Sequence, residues 1–152
     1  MRKTAFVKIS GDLIREDKVL EWIRNLANDF FVVVCTGGGS QISEALSARG
    51  LNSHFGPLGR ELESFEARQI ARDVLEINRD DVQDLLASKG ITAVVVIPVL
   101  DMGFVLCHVN GDVYTMAAYL GFDRVIIVTR KDREEKKQGE NAHLPKIEVV
   151  SF

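Results

Sequence analysis

The chain has 152 residues, of which 46% are hydrophobic and 27% charged, the balance of an ordinary globular domain with enough chain for a substantial core. Its net charge of −3 argues against broad nucleic-acid binding, which needs a clustered positive surface. No apolar run approaches bilayer-spanning length and the N-terminus leads only into a short strand-like run, so neither a membrane span nor a signal peptide is expected, and the expected location is the cytoplasm.

In chain order, strand-like and helix-like segments alternate. Ala5–Ile9 is an apolar strand that carries Lys8 and runs into Ser10-Gly11. Asp17 to Asn28 has Val19, Leu20, Ile23 and Leu26 at helical spacing, an amphipathic helix. Phe31–Cys35 is a second strand, ending in Thr36-Gly37-Gly38-Gly39-Ser40. Ser40 is the expected N-cap of a helix containing Ile42, Ala45 and Leu46, with Gly50 as its stop. Leu62 to Ile77 predicts a long helix with a charged outer face, and Asn78 is the expected cap of a separate short helix that Gly90 ends.

Ala93–Ile97 is a continuous β-branched run, suited to a strand covered on both faces. Asn110-Gly111 is a strong hairpin signal that would pair residues 105–109 with 113–115. The residues from Met116 to Gly121 favour a helix instead, with Asp112 near its N-terminus, where a carboxylate is favourable. Arg124–Thr129 and Ile147–Val150 are the last two strands. Between them residues 130–137 are wholly charged, which reads as a solvated loop or frayed helix. A functional reading places Lys131, Lys136 or Lys137 over a nucleotide phosphate. The alternation predicts an α/β three-layer sandwich with a mainly parallel central sheet, in one domain spanning residues 1–152.

Two strand–turn–helix corners carry the chemistry. At such corners backbone N–H groups and the positive end of a helix dipole hold an anion. Glycine removes the Cβ that would keep a phosphate from the backbone, and Lys8 supplies a point charge beside the turns. Ser10, Gly11, Gly37, Gly38 and Gly39 are therefore candidate phosphate-binding residues. Asp101, Met102 and Gly103 follow a strand and could touch a substrate, although a turn explains them equally well. Cys35 and Cys107 sit in apolar runs without Cys-x-x-Cys spacing and read as small buried hydrophobes of a reducing compartment, in preference to a disulfide. His108 reads as structural, and His54 and His143 show no ligand pattern; no protein-held metal is expected.

Lys8-Ile9-Ser10-Gly11, then Gly37-Gly38-Gly39, then Asn110-Gly111-Asp112 with a helix and the Thr129-ending strand stand in one order over most of the chain. Together they resemble the amino acid kinase family, which includes the acetylglutamate, aspartate, carbamate and uridylate kinases; the Ser-Gly form is closest to the uridylate kinase branch. The resemblance implies phosphoryl transfer from ATP, with Mg²⁺ carried by the nucleotide, to a small carboxylate, carbamate or nucleoside monophosphate. It implies that Lys8 stabilises the transferring group, that Asp112 orients catalytic lysines and that Asn110 contacts substrate. Thr129 and Lys131 become candidate nucleotide-binding residues, and a homodimer through the Leu62–Ile77 helix is expected.

The chain departs from this pattern after Thr129. The family's Asp-x-x-Gly-Val-Tyr is replaced by Arg130-Lys131-Asp132-Arg133-Glu134-Glu135, and the nucleotide-binding portion is expected to be shortened after about residue 130. Two functions stay open: an ATP-dependent small-molecule kinase, or a non-catalytic relative that binds a small anionic ligand or regulates a partner. A Rossmann dinucleotide site or a P-loop is disfavoured, because neither Gly-x-Gly-x-x-Gly nor Gly-x-x-x-x-Gly-Lys-Ser/Thr occurs.

Overall fold

The computed structural model describes residues 2–57, 59–102 and 105–152, with the side chains of residues 101–108 outside that description. The expectations for Asp101, Met102, Gly103, Cys107 and His108 as side chains or site residues lie outside the described residues.

Five parallel strands form the central sheet, in the order β5-β2-β1-β8-β9. They are β1 (Lys3–Ile9), β2 (Phe30–Thr36), β5 (Ala93–Val96), β8 (Arg124–Thr129) and β9 (Ile147–Ser151). The helices are α1 (Asp17–Asp29), α2 (Gly39–Ser47), α3 (Phe65–Ser88), α4 (Gly111–Ala118) and α5 (Glu134–Asn141). Two antiparallel hairpins, β3 (His54–Gly56) with β4 (Gly59–Glu61) and β6 (Val99–Met102) with β7 (Val105–His108), stand outside the sheet.

Strand periodicity builds the layers. Ala5, Val7 and Ile9 of β1 point to one face with Val32, Val34, Ala93, Val95, Ile126 and Val128, and pack against Val19, Leu20, Ile23 and Leu26 of α1. On the opposite face Phe6, Cys35 and Val125 meet Ala118 and Tyr114 of α4, and Phe6 packs edge-on against Phe122 at 5.4 Å between ring centroids. Burying both faces makes the strands read as continuous apolar runs.

Helix α3 corrects the expectation of two helices divided at Asn78. It runs unbroken for 24 residues, because no glycine or proline interrupts residues 65–88. Its N-terminal half forms a second small core with α2 (Ile42 and Leu46 against Ala67, Ile70, Ala71 and Leu75), while Val82 and Leu86 of its C-terminal half pack on the sheet. Asn78 lies between the two cores and donates from Nδ2 to the Gly37 carbonyl at 3.2 Å. With that partner, its side chain does not compete for the helix backbone. The helix begins with a Ser64 cap accepting from the Ala67 N–H at 3.0 Å, and Gly90 follows its end at φ +68°.

Three further expectations are settled by the backbone. Helix α2 starts at Gly39 with Gly38 as N-cap and no side-chain cap bond, so Ser40 lies inside the helix. Asn110-Gly111 opens helix α4 instead of turning a hairpin, and β7 pairs antiparallel with β6. Of the two expectations for the charged stretch, loop or frayed helix, the backbone takes the helical one, as a 3₁₀ turn at Lys131–Arg133 followed by α5.

Candidate functional site

A cleft of about 720 Å³ opens at the C-terminal ends of β1 and β2. Chain order reverses across β1, with β2 and β5 added on one side and β8 and β9 on the other; such switch points are where open α/β sheets place ligands. Lys8, Ser10, Gly11, Gly37, Gly38, Gly39, Asn110 and Asp112 all line this one cleft.

Lys8 points from β1 toward α4, and its Nζ lies 3.0 Å from Oδ1 of Asp112. The other Asp112 oxygen accepts from Nζ of Lys137 on α5, and that ammonium is also 2.7 Å from Oε2 of Glu140. One carboxylate thus spans two ammonium groups from different elements. Burial alone would raise the Asp112 carboxyl, but Lys8 and then Lys137 outweigh it and hold it below the ordinary range. Burial likewise opposes the charge on Lys137, and the bonds to Asp112 and Glu140 prevail and raise it.

Local sequence explains this placement. Asn110 caps α4, its Oδ1 accepting from the N–H groups of Asp112 at 2.9 Å and Val113 at 3.3 Å. Asp112 therefore sits in the first helical turn, where the dipole favours a negative charge. A Cβ at Gly111 would lie 3.1 Å from Cε of Lys8, so glycine gives the lysine stem its passage. The buried Thr115 hydroxyl donates to the Gly111 carbonyl at 2.8 Å and holds that turn from below.

The glycines of the two corners do different work. A Cβ at Gly11 would meet the Gly37 carbonyl at 2.9 Å, so the turns abut too closely for any side chain there. A Cβ at Gly38 would meet Nδ2 of Asn78 at 2.8 Å and touch Val74 and Leu75, which makes Gly38 a packing glycine against α3. Gly37 and Gly39 have open space where their Cβ atoms would stand. The uncapped N-terminus of α2 faces the cleft between them, a ready anion cradle.

Two cleft residues, Arg60 and Arg133, carry no functional signal in the sequence, and Lys136, a phosphate candidate there, joins them. Arg60 reaches over from the β3–β4 hairpin, bonded to Ser53 Oγ at 2.6 Å, the Gly39 carbonyl at 2.8 Å and Ser43 Oγ at 2.9 Å, with its guanidinium 4.6 Å from the Phe55 ring centroid. Arg133 and Lys136 enter from the charged stretch. Only tertiary folding brings a hairpin arginine to the glycine turns; its one sequence signal is Gly56-Pro57 and Gly59, whose glycines pair across β3 and β4.

Thr129 and Lys131 stand elsewhere. Thr129 is buried at the end of β8, and its carbonyl accepts from the Phe152 N–H at 3.1 Å. Lys131 is exposed in the 3₁₀ turn, its N–H donating to the Phe152 carbonyl at 3.2 Å. Neither lines the cleft. Pairing of β9 along β8 commits this segment to the end of the chain.

No family model matches the chain, and no curated protein matches it. Solved structures do. N-acetylglutamate synthase from Neisseria gonorrhoeae, complexed with coenzyme A and L-arginine, is 12% identical with a TM-score of 0.56 over 86% of this chain and 45% of that one. The same enzyme complexed with coenzyme A and N-acetyl-glutamate gives 11% identity and 0.58, over 98% of this chain and 54% of that one. An isopentenyl phosphate kinase gives 15% identity and 0.53, over 97% of this chain and 91% of that one. The fold is that of the amino acid kinases. The chain spans about half the length of the synthases it matches. Among the described residues of this amino acid kinase fold, no helix is long and apolar enough to cross a membrane.

Proposed function

We propose that this protein is a cytoplasmic phosphotransferase of the amino acid kinase type, acting on a small anionic substrate. The observation that carries the reading is Asp112 bridging Lys8 and Lys137 beside two glycine turns. Phosphoryl transfer needs positioning and charge neutralisation more than covalent help. In this reading the N–H groups at Gly37–Gly39 and the α2 N-terminus hold phosphate oxygens. Lys8 and Lys137 neutralise the charge of the transferring group, and Asp112 keeps both ammonium groups in place without acting as a base.

ATP with Mg²⁺ would supply the phosphoryl group. The phosphate end suits the cleft, where Lys8, Arg60, Arg133, Lys136 and Lys137 outnumber Asp112 and Glu140. The residues that the resemblance assigned to the nucleotide, Thr129 and Lys131, are outside it. That placement favours a second reading, a relative that binds a small phosphate-bearing or carboxylate ligand without catalysis. Calorimetry with ATP–Mg²⁺ and with inorganic phosphate separates the two. A kinase binds both and converts ATP to ADP when a suitable acceptor is present; an anion binder takes phosphate alone. Binding of neither, and of no small carboxylate titrated alongside them, removes both readings.

The reading includes a homodimer with α3 as its contact element, since Phe65 and Ile77 are 70% and 60% exposed. Sedimentation velocity tests it, and a monomer that stays monomeric in Phe65→Ser and wild type alike would remove it.

A further inference from the structure

Four charged side chains continue from Lys8 into α5 with alternating sign. Asp112 bridges Lys8 and Lys137, Nζ of Lys137 lies 2.7 Å from Oε2 of Glu140, and Oε1 of Glu140 lies 3.8 Å from Nζ of Lys136. All five groups line the cleft. The row opens outward, from the shielded Lys8 and Lys137 to Glu140 at 44% and Lys136 at 73% exposure. A carboxylate near the mouth of an anion cleft needs a reason, and helix stability does not supply one. Glu140 stands in the last turn of α5, where the helix dipole disfavours a negative charge, and lysine before glutamate is the weaker order for an i,i+4 pair. The turn is nevertheless fixed, because the buried Asn141 donates from Nδ2 to the Lys137 carbonyl at 2.8 Å.

The two carboxylates of the row differ in what they leave open. Asp112 commits one oxygen to Lys8 and the other to Lys137. Glu140 commits Oε2 to Lys137, while its Oε1 is beyond hydrogen-bonding distance of Lys136 and keeps its lone pairs. Glu140 thus sets an acceptor among the donors of Lys136, Lys137 and the glycine turns. Resting on the anion site proposed above, we infer that Glu140 is a specificity-determining residue: it selects a tetrahedral oxyanion that still carries a proton, such as hydrogen phosphate, against a fully deprotonated one, such as sulfate. The protonated oxygen donates to Glu140 while the others accept from the lysines and the turns. These two dianions share shape and charge, so the proton is what tells them apart. Sulfate would turn a bare oxygen toward the carboxylate, leaving an acceptor without its donor and adding like-charge repulsion.

The test is calorimetry on the full chain with inorganic phosphate and with sulfate, at neutral pH and fixed ionic strength. Phosphate should bind at least about tenfold tighter than sulfate, well below the discrimination of a fully enclosed site because Glu140 is partly open to water. Glu140→Gln supplies an amide that can donate, so sulfate should gain and the ratio of the two dissociation constants should fall toward one. Glu135→Gln removes the same charge from an exposed position of α5 outside the cleft and should keep the ratio. Comparable affinity for phosphate and sulfate in the wild type overturns the inference while leaving the anion site standing. A ratio that survives Glu140→Gln overturns it too. A ratio that falls equally in Glu135→Gln would make the preference an effect of net charge, with the same consequence. If Glu140→Gln binds neither anion, Glu140 serves to hold the lysines and its selective role is overturned. Binding of neither anion by the wild type removes the anion site itself and the inference with it.

Discussion

Nζ of Lys8 and Oδ1 of Asp112 lie 3.0 Å apart, joining the end of the central strand to the first turn of α4. The side chains are 18% and 26% exposed, shielded enough for the pair to matter and open enough for a ligand to reach it. With Lys137 on the other oxygen, Asp112 fixes the separation of two positive charges that come from opposite ends of the chain.

If the phosphotransfer reading holds, Lys8→Ala lowers turnover by about two to three orders of magnitude, the range for loss of one preorganised charge donor. Asp112→Asn loses less, because it loosens both lysines without removing their charge. Steady-state kinetics with the acceptor found by calorimetry checks the order. An Asp112→Asn enzyme slower than Lys8→Ala would show that the carboxylate acts directly.

The same carboxylate links stability to pH. Its folded-state pKa is depressed below 3.8, so its contribution is fully present above that value and is lost as pH falls through the lowered folded one. For Lys137 the folded-state pKa is raised above 10.5. Its contribution is present below 10.5 and is lost as pH rises through the raised value. Asp112→Asn should therefore cost about 1–2 kcal/mol at neutral pH, discounted for partial exposure, and progressively less in acid. Denaturant titrations at neutral pH and near pH 3 measure the difference; an equal cost at both would contradict the linkage.

Replacing Gly38 by valine should unfold the protein more readily, not merely block a ligand. The new Cβ would press on Asn78 of α3 at 2.8 Å, and overpacking of this kind costs about 1–3 kcal/mol. At Gly37 the space is open, so Gly37→Ala should keep the thermal midpoint within a few degrees and weaken phosphate binding. Parallel melting and calorimetry on the two variants distinguish packing from ligand contact.

Asn78→Leu should cost about 1–2 kcal/mol, since it strips the Gly37 carbonyl of a partly buried donor. Phosphate affinity should fall with it as the glycine turn loses its tether to α3. Unchanged stability in urea would show that the bond contributes nothing.

Cys35 is 1% exposed, and burial pushes its thiol up to about 12, with Lys8 only partly offsetting the effect. The peptide containing Cys35 should resist iodoacetamide in the native protein at pH 8 and label fully in denaturant. Rapid native labelling would mean that the α4 face of the sheet opens readily.

Near-continuous apolar runs in residues 5–9, 31–35 and 124–128 make the parallel strands legible, because side chains of a doubly covered strand must be apolar on both faces. Lys8 interrupts that pattern and thereby marks itself, as do the glycines that follow each strand. Asn78 misled because a polar residue with local hydrogen-bonding capacity resembles a cap, while its true partner lies 41 residues away. Thr129 and Lys131 were read through a resemblance whose local residues differ here, and pairing with β9 carried them away from the cleft.

By itself the sequence determined the α/β alternation, the two glycine corners and the helix that presents Asp112, because each depends on residues within a few positions of one another: strand periodicity, a turn without Cβ atoms, an Asn cap. Only the tertiary structure decided that Arg60 bonds the Gly39 carbonyl, that Lys137 shares Asp112 with Lys8, and that Phe55 and Met116 rim the same cleft. These are contacts between elements distant in sequence, and no local pattern encodes a distance that arises when a hairpin, two helices and a strand end close on one another.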